Sequence, residues 1–464
     1  MSFVIRQLQW LAIRKSMLSR KKFGVISLGC DKNRVDSEKL LGLIKAKGYH
    51  ITDNLAEAHI VIVNTCAFLE TARAEAIDTI LECAEYKEDC LEKLVVTGCL
   101  PQKFIGELQG ALEEVDVFLG INDYEKIFEA LTEAYESGEQ CNEVGNGEDG
   151  YIFDRVQTTP DHYAYLKIAD GCYNHCTYCL IPKIRGKYRS YPMDALLKEA
   201  AELGEIAELI VVAQDSTRYG EDLYGENRFV ALLQQLSALE NVQSIRLLYC
   251  YPDVIDDALI QEIATNNKIL KYIDIPLQHS EDRVLKLMNR KGKRDGYLKL
   301  IQKLRESVPG IAIRSTFISG FPTETEEEFE GMKDFIRQAK FLNCGFFAYS
   351  REPDTGAYRL KPQVHSATKG RRVRALYKLQ AQISASLLAG FVGREIEVLC
   401  DGIDYEKGCF VGRAYFSAPD IDGNVYFNAS EAMQGQRYKV IIEKADAYDL
   451  YGCTAEYKQL SEEE

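Results

Sequence analysis

The rhythm of apolar and polar positions changes three times along the chain. From Phe23 to about Ala134, short apolar runs at Val25–Leu28, Ile60–Val63 and Leu94–Thr97 alternate with helical stretches at Ser37–Ala46 and Ala72–Ala84. That alternation predicts βαβ units and a parallel sheet. Residues 137–150, rich in glycine and acids, hold little that could pack and read as a linker. From Tyr163 the alternation resumes, with candidate strands at Tyr163–Ile168, Glu208–Ala213, Ser244–Tyr251, Tyr272–Leu277, Ile313–Ile318 and Gly345–Tyr349. Six βα repeats predict an open or partial barrel. A long amphipathic segment, Lys369–Leu388, closes this region. Beyond Gly393 come short alternating strands, Glu395–Leu399, Gly412–Tyr415, Asn424–Phe427 and Tyr438–Ile442, the pattern of a small antiparallel barrel. The expected fold class is therefore α/β. It divides into a basic N-terminal extension (1–22), a parallel-sheet α/β domain (23–150), a partial (βα)6 barrel (151–390) and a small antiparallel β-barrel (391–464).

Length agrees with several domains: at 100 to 200 residues each, 464 residues make roughly three. With 46% hydrophobic and 27% charged residues the composition is that of a soluble protein, and no apolar run approaches the roughly 20 residues of a membrane span. The formal charge of −15 argues against a protein that coats nucleic acid by charge alone. The first 22 residues carry six basic and no acidic side chains, but no apolar core or cleavage site follows, so 1–16 read as an extension, with Met17 an alternative first residue. The expected compartment is the reducing cytoplasm.

Fourteen cysteines in a chain long enough to build several cores point to metal or redox chemistry rather than a disulfide framework. Cys30, Cys66 and Cys99 each follow an apolar strand, and in a parallel sheet the strand ends share one edge, so the three can converge. Three thiolates leave a tetrahedral metal or a cubane one ligand short, an opening typical of catalytic sites; three buried, inert cysteines are the alternative. Cys172, Cys176 and Cys179 form a CxxxCxxC loop directly after Tyr163–Ile168. Three thiolates on one tight loop suit a 4Fe-4S cubane with one iron open. Zinc is the rival, but a closed zinc site needs a fourth ligand, and His175 lies between two candidates where it cannot easily turn inward.

A CxxxCxxC loop after the first strand of a six-fold βα repeat resembles the radical S-adenosylmethionine (SAM) superfamily. The glycine-containing segment Arg314–Glu324 agrees. Ser27–Glu38, Ala213–Ser216, Gln278–Ser280 and Leu287–Arg290, together with three upstream cysteines and a C-terminal TRAM barrel, resemble the methylthiotransferases over residues 24 to about 457. The resemblance implies two 4Fe-4S clusters, one on Cys30, Cys66 and Cys99 and one on Cys172, Cys176 and Cys179. It also implies SAM as cofactor, with Tyr178, Gln214, Ser315 and Gly320 near it, and an external electron donor. Asp31 departs from the family, where proline is common. The chemistry implied is replacement of an unactivated C–H hydrogen by a methylthio group, for which the protein supplies orientation and exclusion of water.

Two substrates compete within the family: transfer RNA beside the anticodon, and an aspartate of uS12, the twelfth protein of the small ribosomal subunit. A non-catalytic iron-sulfur protein binding RNA or ribosomes is a reading from another class. Residues 391–464 carry seven Lys plus Arg against fifteen Asp plus Glu, a net of −8. An RNA-gripping barrel should be basic, whereas an acidic one suits a basic ribosomal protein. Segments Gly412–Gly423, Tyr448–Gly452 and Ala213–Asp215 also resemble the ribosomal-protein branch, so uS12 is the expected partner, and transfer RNA is not. Asp401, Asp404, Asp420 and Asp422 are expected to be exposed on the barrel. Runs Arg290–Arg294 and Arg371–Arg374 read as solvated, and His279 as either a hydrogen-bonded structural residue or a substrate contact. Cys83, Cys90, Cys141, Cys250, Cys344, Cys400, Cys409 and Cys453 read as core or surface thiols.

Overall fold

The computed structural model describes residues 18–145 and 154–463. Most of the expected extension and the end of the expected linker lie outside them. The chain forms two compact units: one of residues up to Thr158 together with Leu180–Lys187, the other of Thr159–Cys179 and Tyr188 onward.

Among the described residues, the first unit holds a six-stranded parallel sheet. Its strands are β1 (Lys22–Ser27), β2 (His50–Ile51), β3 (Ile60–Thr65), β4 (Lys93–Gly98), β5 (Val117–Leu119) and β6 (Cys141–Glu143). They lie in the order β2-β1-β3-β4-β5-β6. The central strand β3 is buried at every position, the continuous apolar run expected of a strand covered on both faces. Helices Asp31–Ala46 and Glu70–Glu85 return the chain between strands. The extension read over 1–22 is corrected at its end: Leu18 is buried in the core, Lys21 pairs with Glu92, and β1 begins at Lys22. The linker is corrected as well. Cys141–Glu143 pairs in parallel with β5 and buries Cys141. An edge strand that turns only one side chain inward leaves no apolar run to read.

The second unit begins with β7 (Tyr163–Lys167) and a short ladder of β8 (Ala169–Asp170) with β9 (Arg189–Ser190). Strands β10 (Glu208–Val212), β11 (Ile245–Leu247), β12 (Ile269–Gln278), β13 (Ala312–Ser319) and β14 (Asn343–Ala348) complete a parallel sheet ordered β14-β13-β12-β11-β10-β7. This is the open six-strand array expected for 151–390. The exception is Leu180–Lys187, which folds with the first unit. Helix Ser366–Leu388 packs on β14. The barrel follows: β15 (Glu395–Asp404), β16 (Cys409–Arg413), β17 (Val425–Asn428), β18 (Arg437–Ala445) and β19 (Leu450–Thr454), closed in the order β15-β16-β17-β19-β18. Its fifth strand, β19, was absent from the sequence reading.

Buried ion pairs join barrel and sheet within this unit. Glu208 of β10 accepts from Arg246 Nε at 2.6 Å and Arg413 Nη1 at 2.9 Å. Arg413 also donates to Asp401, which meets His162 Nε2 at 2.7 Å. Asp422 accepts from Arg314 Nε and from the Tyr272 hydroxyl, its side chain fully enclosed. Asp401 and Asp422 thus turn inward, contrary to the expectation that both are exposed. Their barrel segments face buried arginines, and an uncompensated buried guanidinium is costly. The basic runs are corrected for the same reason. Arg290 is buried, with its Nη2 on Pro276 O, and Arg372 is buried against Glu324. Among the described residues no helix is long and apolar enough to cross a membrane.

Candidate iron-sulfur and cofactor sites

Cys30, Cys66 and Cys99 stand at the C-terminal ends of the adjacent strands β1, β3 and β4. Glycine precedes two of them, for a physical reason. Gly29 and Gly98 adopt φ of +90° and +96°, and a Cβ on either would lie 2.6 Å from Cys66 Cβ or 2.3 Å from Asn64 Oδ1. Two asparagines brace these strand tips. Asn33 Nδ2 donates to Leu28 O and Thr65 O, and Asn64 Nδ2 donates to Asn33 O and the Ser37 hydroxyl. Asp31 opens the helix Asp31–Ala46 and pairs with Lys32. Burial deepens across the triplet from exposed Cys30 through half-buried Cys66 to buried Cys99. Burial pushes the Cys99 thiol up to about 12 and raises Cys66, with Cys30 adding to both.

One residue here was not singled out by sequence reasoning. Arg185, from the segment Leu180–Lys187, places Nη2 2.6 Å from Asn33 Oδ1, 3.0 Å from Asp36 and 3.7 Å from Cys99 Sγ. It followed a motif, and nothing in its neighbours marked it as buried.

The second triplet lies on the loop after β8. Gly171, at φ +74°, turns the chain, and its N–H donates to Asp170, which is held by Lys167. Asn174 donates to Cys172 Sγ from its backbone N at 3.4 Å and from Nδ2 at 3.5 Å. Its Nδ2 also donates to Asp215 at 2.8 Å, and Asp215 in turn accepts from the Thr217 hydroxyl. The segment Leu287–Asn289, singled out by resemblance, clamps this loop. Thr177 N donates to Met288 O, the Thr177 hydroxyl to Leu287 O, and Asn289 Nδ2 to His175 O. His175 is exposed and left-handed (φ +48°), turned out as its position between two cysteines requires. All three cysteines are half-buried, and burial pushes Cys172 up to about 11.

Both triplets suit a cubane better than zinc. Four ligands around one zinc at about 2.3 Å stand only about 4 Å apart, whereas a cubane gives each thiolate its own iron. Among the described residues, the group of three His, Cys, Asp or Glu ligand atoms drawn within 4.8 Å of one another is Glu133, Cys141 and Glu143, and neither cysteine triplet is that tight.

The four residues expected near SAM separate. Gln214, beside Asp215, keeps a buried side-chain oxygen without a hydrogen-bond partner among the described residues. Such an atom is the kind of acceptor a bound ammonium or hydroxyl satisfies. Tyr178 packs on the cluster of Val284, Met288 and Phe321; burial raises its hydroxyl, with Cys176 adding to the effect. Ser315 uses its hydroxyl inside the sheet, donating to Ile275 O and accepting from Leu277 N. Gly320, at φ +76°, donates its N–H to Glu324 and leaves room for Lys369, whose Cγ a Cβ there would meet at 2.4 Å. His279 is fully buried, its Nδ1 accepting from Glu281 N and its Nε2 3.4 Å from Glu324.

Comparisons with known proteins agree with this geometry. Residues 22–120 match the Uncharacterized protein family UPF0004, 166–336 the Radical SAM superfamily and 392–454 the TRAM domain. The ribosomal protein uS12 methylthiotransferase RimO of Clostridium botulinum (strain Eklund 17B / Type B) is 46% identical over 441 residues, 94% of this chain and 98% of that one. Its counterpart in Thermoanaerobacter sp. (strain X514) is 44% identical over 93% and 99%. Among solved structures, the radical SAM methyltransferase TsrM from Kitasatospora setae superimposes with a TM-score of 0.54, covering 73% of this chain and 77% of that one at 14% identity, a likeness of fold.

Proposed function

The chain belongs to the ribosomal protein uS12 methylthiotransferase RimO family, and from that premise we propose that it attaches a methylthio group to the β-carbon of an aspartate of uS12. The observation that carries this reading is the pair of open cysteine triplets, one at the strand ends of the first parallel sheet and one on the loop that follows β7 and β8 of the second unit. When bound, the two clusters and SAM supply the radical and sulfur chemistry that no side chain provides.

The chain's own part is to hold and orient. Cys172, Cys176 and Cys179 hold one cluster, with Asn174 and Asp215 fixing the direction of the Cys172 sulfur. Cys30, Cys66 and Cys99 hold the other, braced by Asn33 and Asn64. Gln214 offers its unpartnered oxygen, and Tyr178 its half-buried ring, to SAM. Ser315 and Gly320 act on the cofactor through strand and turn shape, since their own polar groups are engaged. An external protein supplies electrons, and the reaction belongs in the cytoplasm, where the small ribosomal subunit is assembled. The division we propose is an extension ahead of Leu18, an auxiliary-cluster domain reaching to Thr158 and including Leu180–Lys187, a radical core over the rest of 159–390 and a substrate-recognition barrel over 391–464.

The test is anaerobic incubation of reconstituted protein with SAM, sulfide, a reductant and either uS12 or transfer RNA, read by mass spectrometry. The expected product is uS12 heavier by one methylthio group in place of hydrogen. Thiomethylated transfer RNA with unmodified uS12 would instead favour the other branch. Cleavage of SAM with neither product would overturn both.

A further inference from the structure

Arg185 is enclosed to 2% exposure and reaches the only deeply buried ligand position of the first triplet. Its Nη2 is held by two groups: Asn33 Oδ1 at 2.6 Å, itself on a residue that braces the β1 and β3 tips, and Asp36, 3% exposed, at 3.0 Å. The same Nη2 lies 3.7 Å from Cys99 Sγ, within range of a sulfur acceptor.

A buried cation is expensive unless it compensates something. Asp36 compensates its charge and Asn33 orients it, and in that orientation the same nitrogen faces Cys99 Sγ. Three thiolates on a cubane bring net negative charge into this pocket, and each added electron increases it. Hydrogen bonds and positive charge at cluster sulfurs raise the reduction potential. We propose that Arg185 is a positioning residue of the auxiliary site that sets the reduction potential of the cluster on Cys30, Cys66 and Cys99 through Cys99. The proposal rests on the two-cluster reading above.

The measurement uses the full chain carrying Cys172→Ala, Cys176→Ala and Cys179→Ala, so that the auxiliary cluster alone remains. Iron and sulfide are counted, and the cluster is titrated electrochemically while its paramagnetic signal is followed. With Arg185→Gln added, the reduced fraction at a fixed potential near the midpoint should fall about tenfold in ratio, equivalent to about 59 mV for a one-electron couple. Arg185→Lys, which keeps the charge, should hold iron and recover most of that shift. An unchanged midpoint in Arg185→Gln with full iron would overturn the proposal. Equal loss of iron from both variants would overturn it as well, because the residue would then be a structural clamp. Absence of any cluster in the triple-alanine parent would instead sink the two-cluster reading, and the proposal with it.

Discussion

Cys172 and Cys99 are both held by donors that face sulfur, Asn174 in one case and Arg185 in the other. Each is also pushed by burial toward the neutral thiol, so iron has to displace a proton from either when a cluster forms. The two triplets share no residue, and their losses should be separable. Reconstituted protein is expected to carry about eight irons, four per cubane. Replacing Cys172, Cys176 and Cys179 with alanine should leave about half the iron and abolish cleavage of SAM. Replacing Cys30, Cys66 and Cys99 should leave cleavage intact and stop sulfur insertion. Iron analysis paired with chromatographic assay of 5'-deoxyadenosine checks both; full iron in the first variant would contradict the ligand assignment. The six cysteines were legible because spacing and strand ends are sequence properties. Arg185 was not legible as a partner of Cys99, nor Asp215 as the anchor of Asn174, since hydrogen bonds across 86 or 41 residues leave no local pattern.

Among the elements, strands were legible where burial was continuous. β3, β4 and β10 are apolar runs covered on both faces, and the expected spans match them to within a few residues. β2, β5, β6, β8, β9 and β19 escaped notice: β2, β8 and β9 are two residues each, β5 is buried throughout but only three residues long, β6 buries one residue, and Leu450–Thr454 mixes glycine and threonine into a short closing strand. Charge was misread for a related reason. Local sequence shows that Arg290 and Arg372 are basic, but the buried groups awaiting them are distant in the chain. Glu208 makes the energetic consequence concrete. Arg246 and Arg413 overcome its burial and hold its carboxyl down to about 2, below the ordinary 4.5. A carboxylate depressed in the folded state stabilises above its ordinary value and loses that contribution as pH falls from 4.5 toward 2. Glu208→Gln leaves two buried guanidinium groups short of a counter-charge, a loss of about 3–5 kcal/mol. Chemical denaturation at pH 7 should show that loss, and the difference between parent and variant should shrink as the pH approaches 2. An equal difference at both pH values would mean the pair is held by shape rather than charge.

For the whole molecule, the acidic barrel has to be divided by where its carboxylates point. Asp401 and Asp422 belong to the junction with the sheet, and Asp404 caps its own turn through Glu406 N and Lys407 N. The acids left for a basic partner include Glu406, Asp420 and Glu431, all exposed. Opposite charges accelerate encounter and set orientation more than they add affinity, and salt screens them over about 10 Å at 0.1 M. Replacing Glu406, Asp420 and Glu431 with their amides should raise the KM for uS12 severalfold and flatten its dependence on salt, while SAM cleavage without uS12 stays unchanged. Asp401→Asn and Asp422→Asn should instead lower thermal stability. Steady-state assays at two ionic strengths would settle the division; a KM unmoved by the exposed set would mean the partner docks elsewhere.

The segment Leu180–Lys187 also governs the order in which the protein can be made. Its Leu180 and Ile184 belong to the same apolar cluster as Val61, Leu94 and Leu100. A nascent chain that has emerged only as far as Thr158 therefore lacks two side chains of its first core and the guanidinium beside Cys99. The amino-terminal unit finishes folding only after the CxxxCxxC loop has left the ribosome. Any interruption of translation between the two triplets yields a fragment with an open core rather than a self-sufficient domain, and dissecting the protein with a single cut at residue 158 leaves neither piece whole.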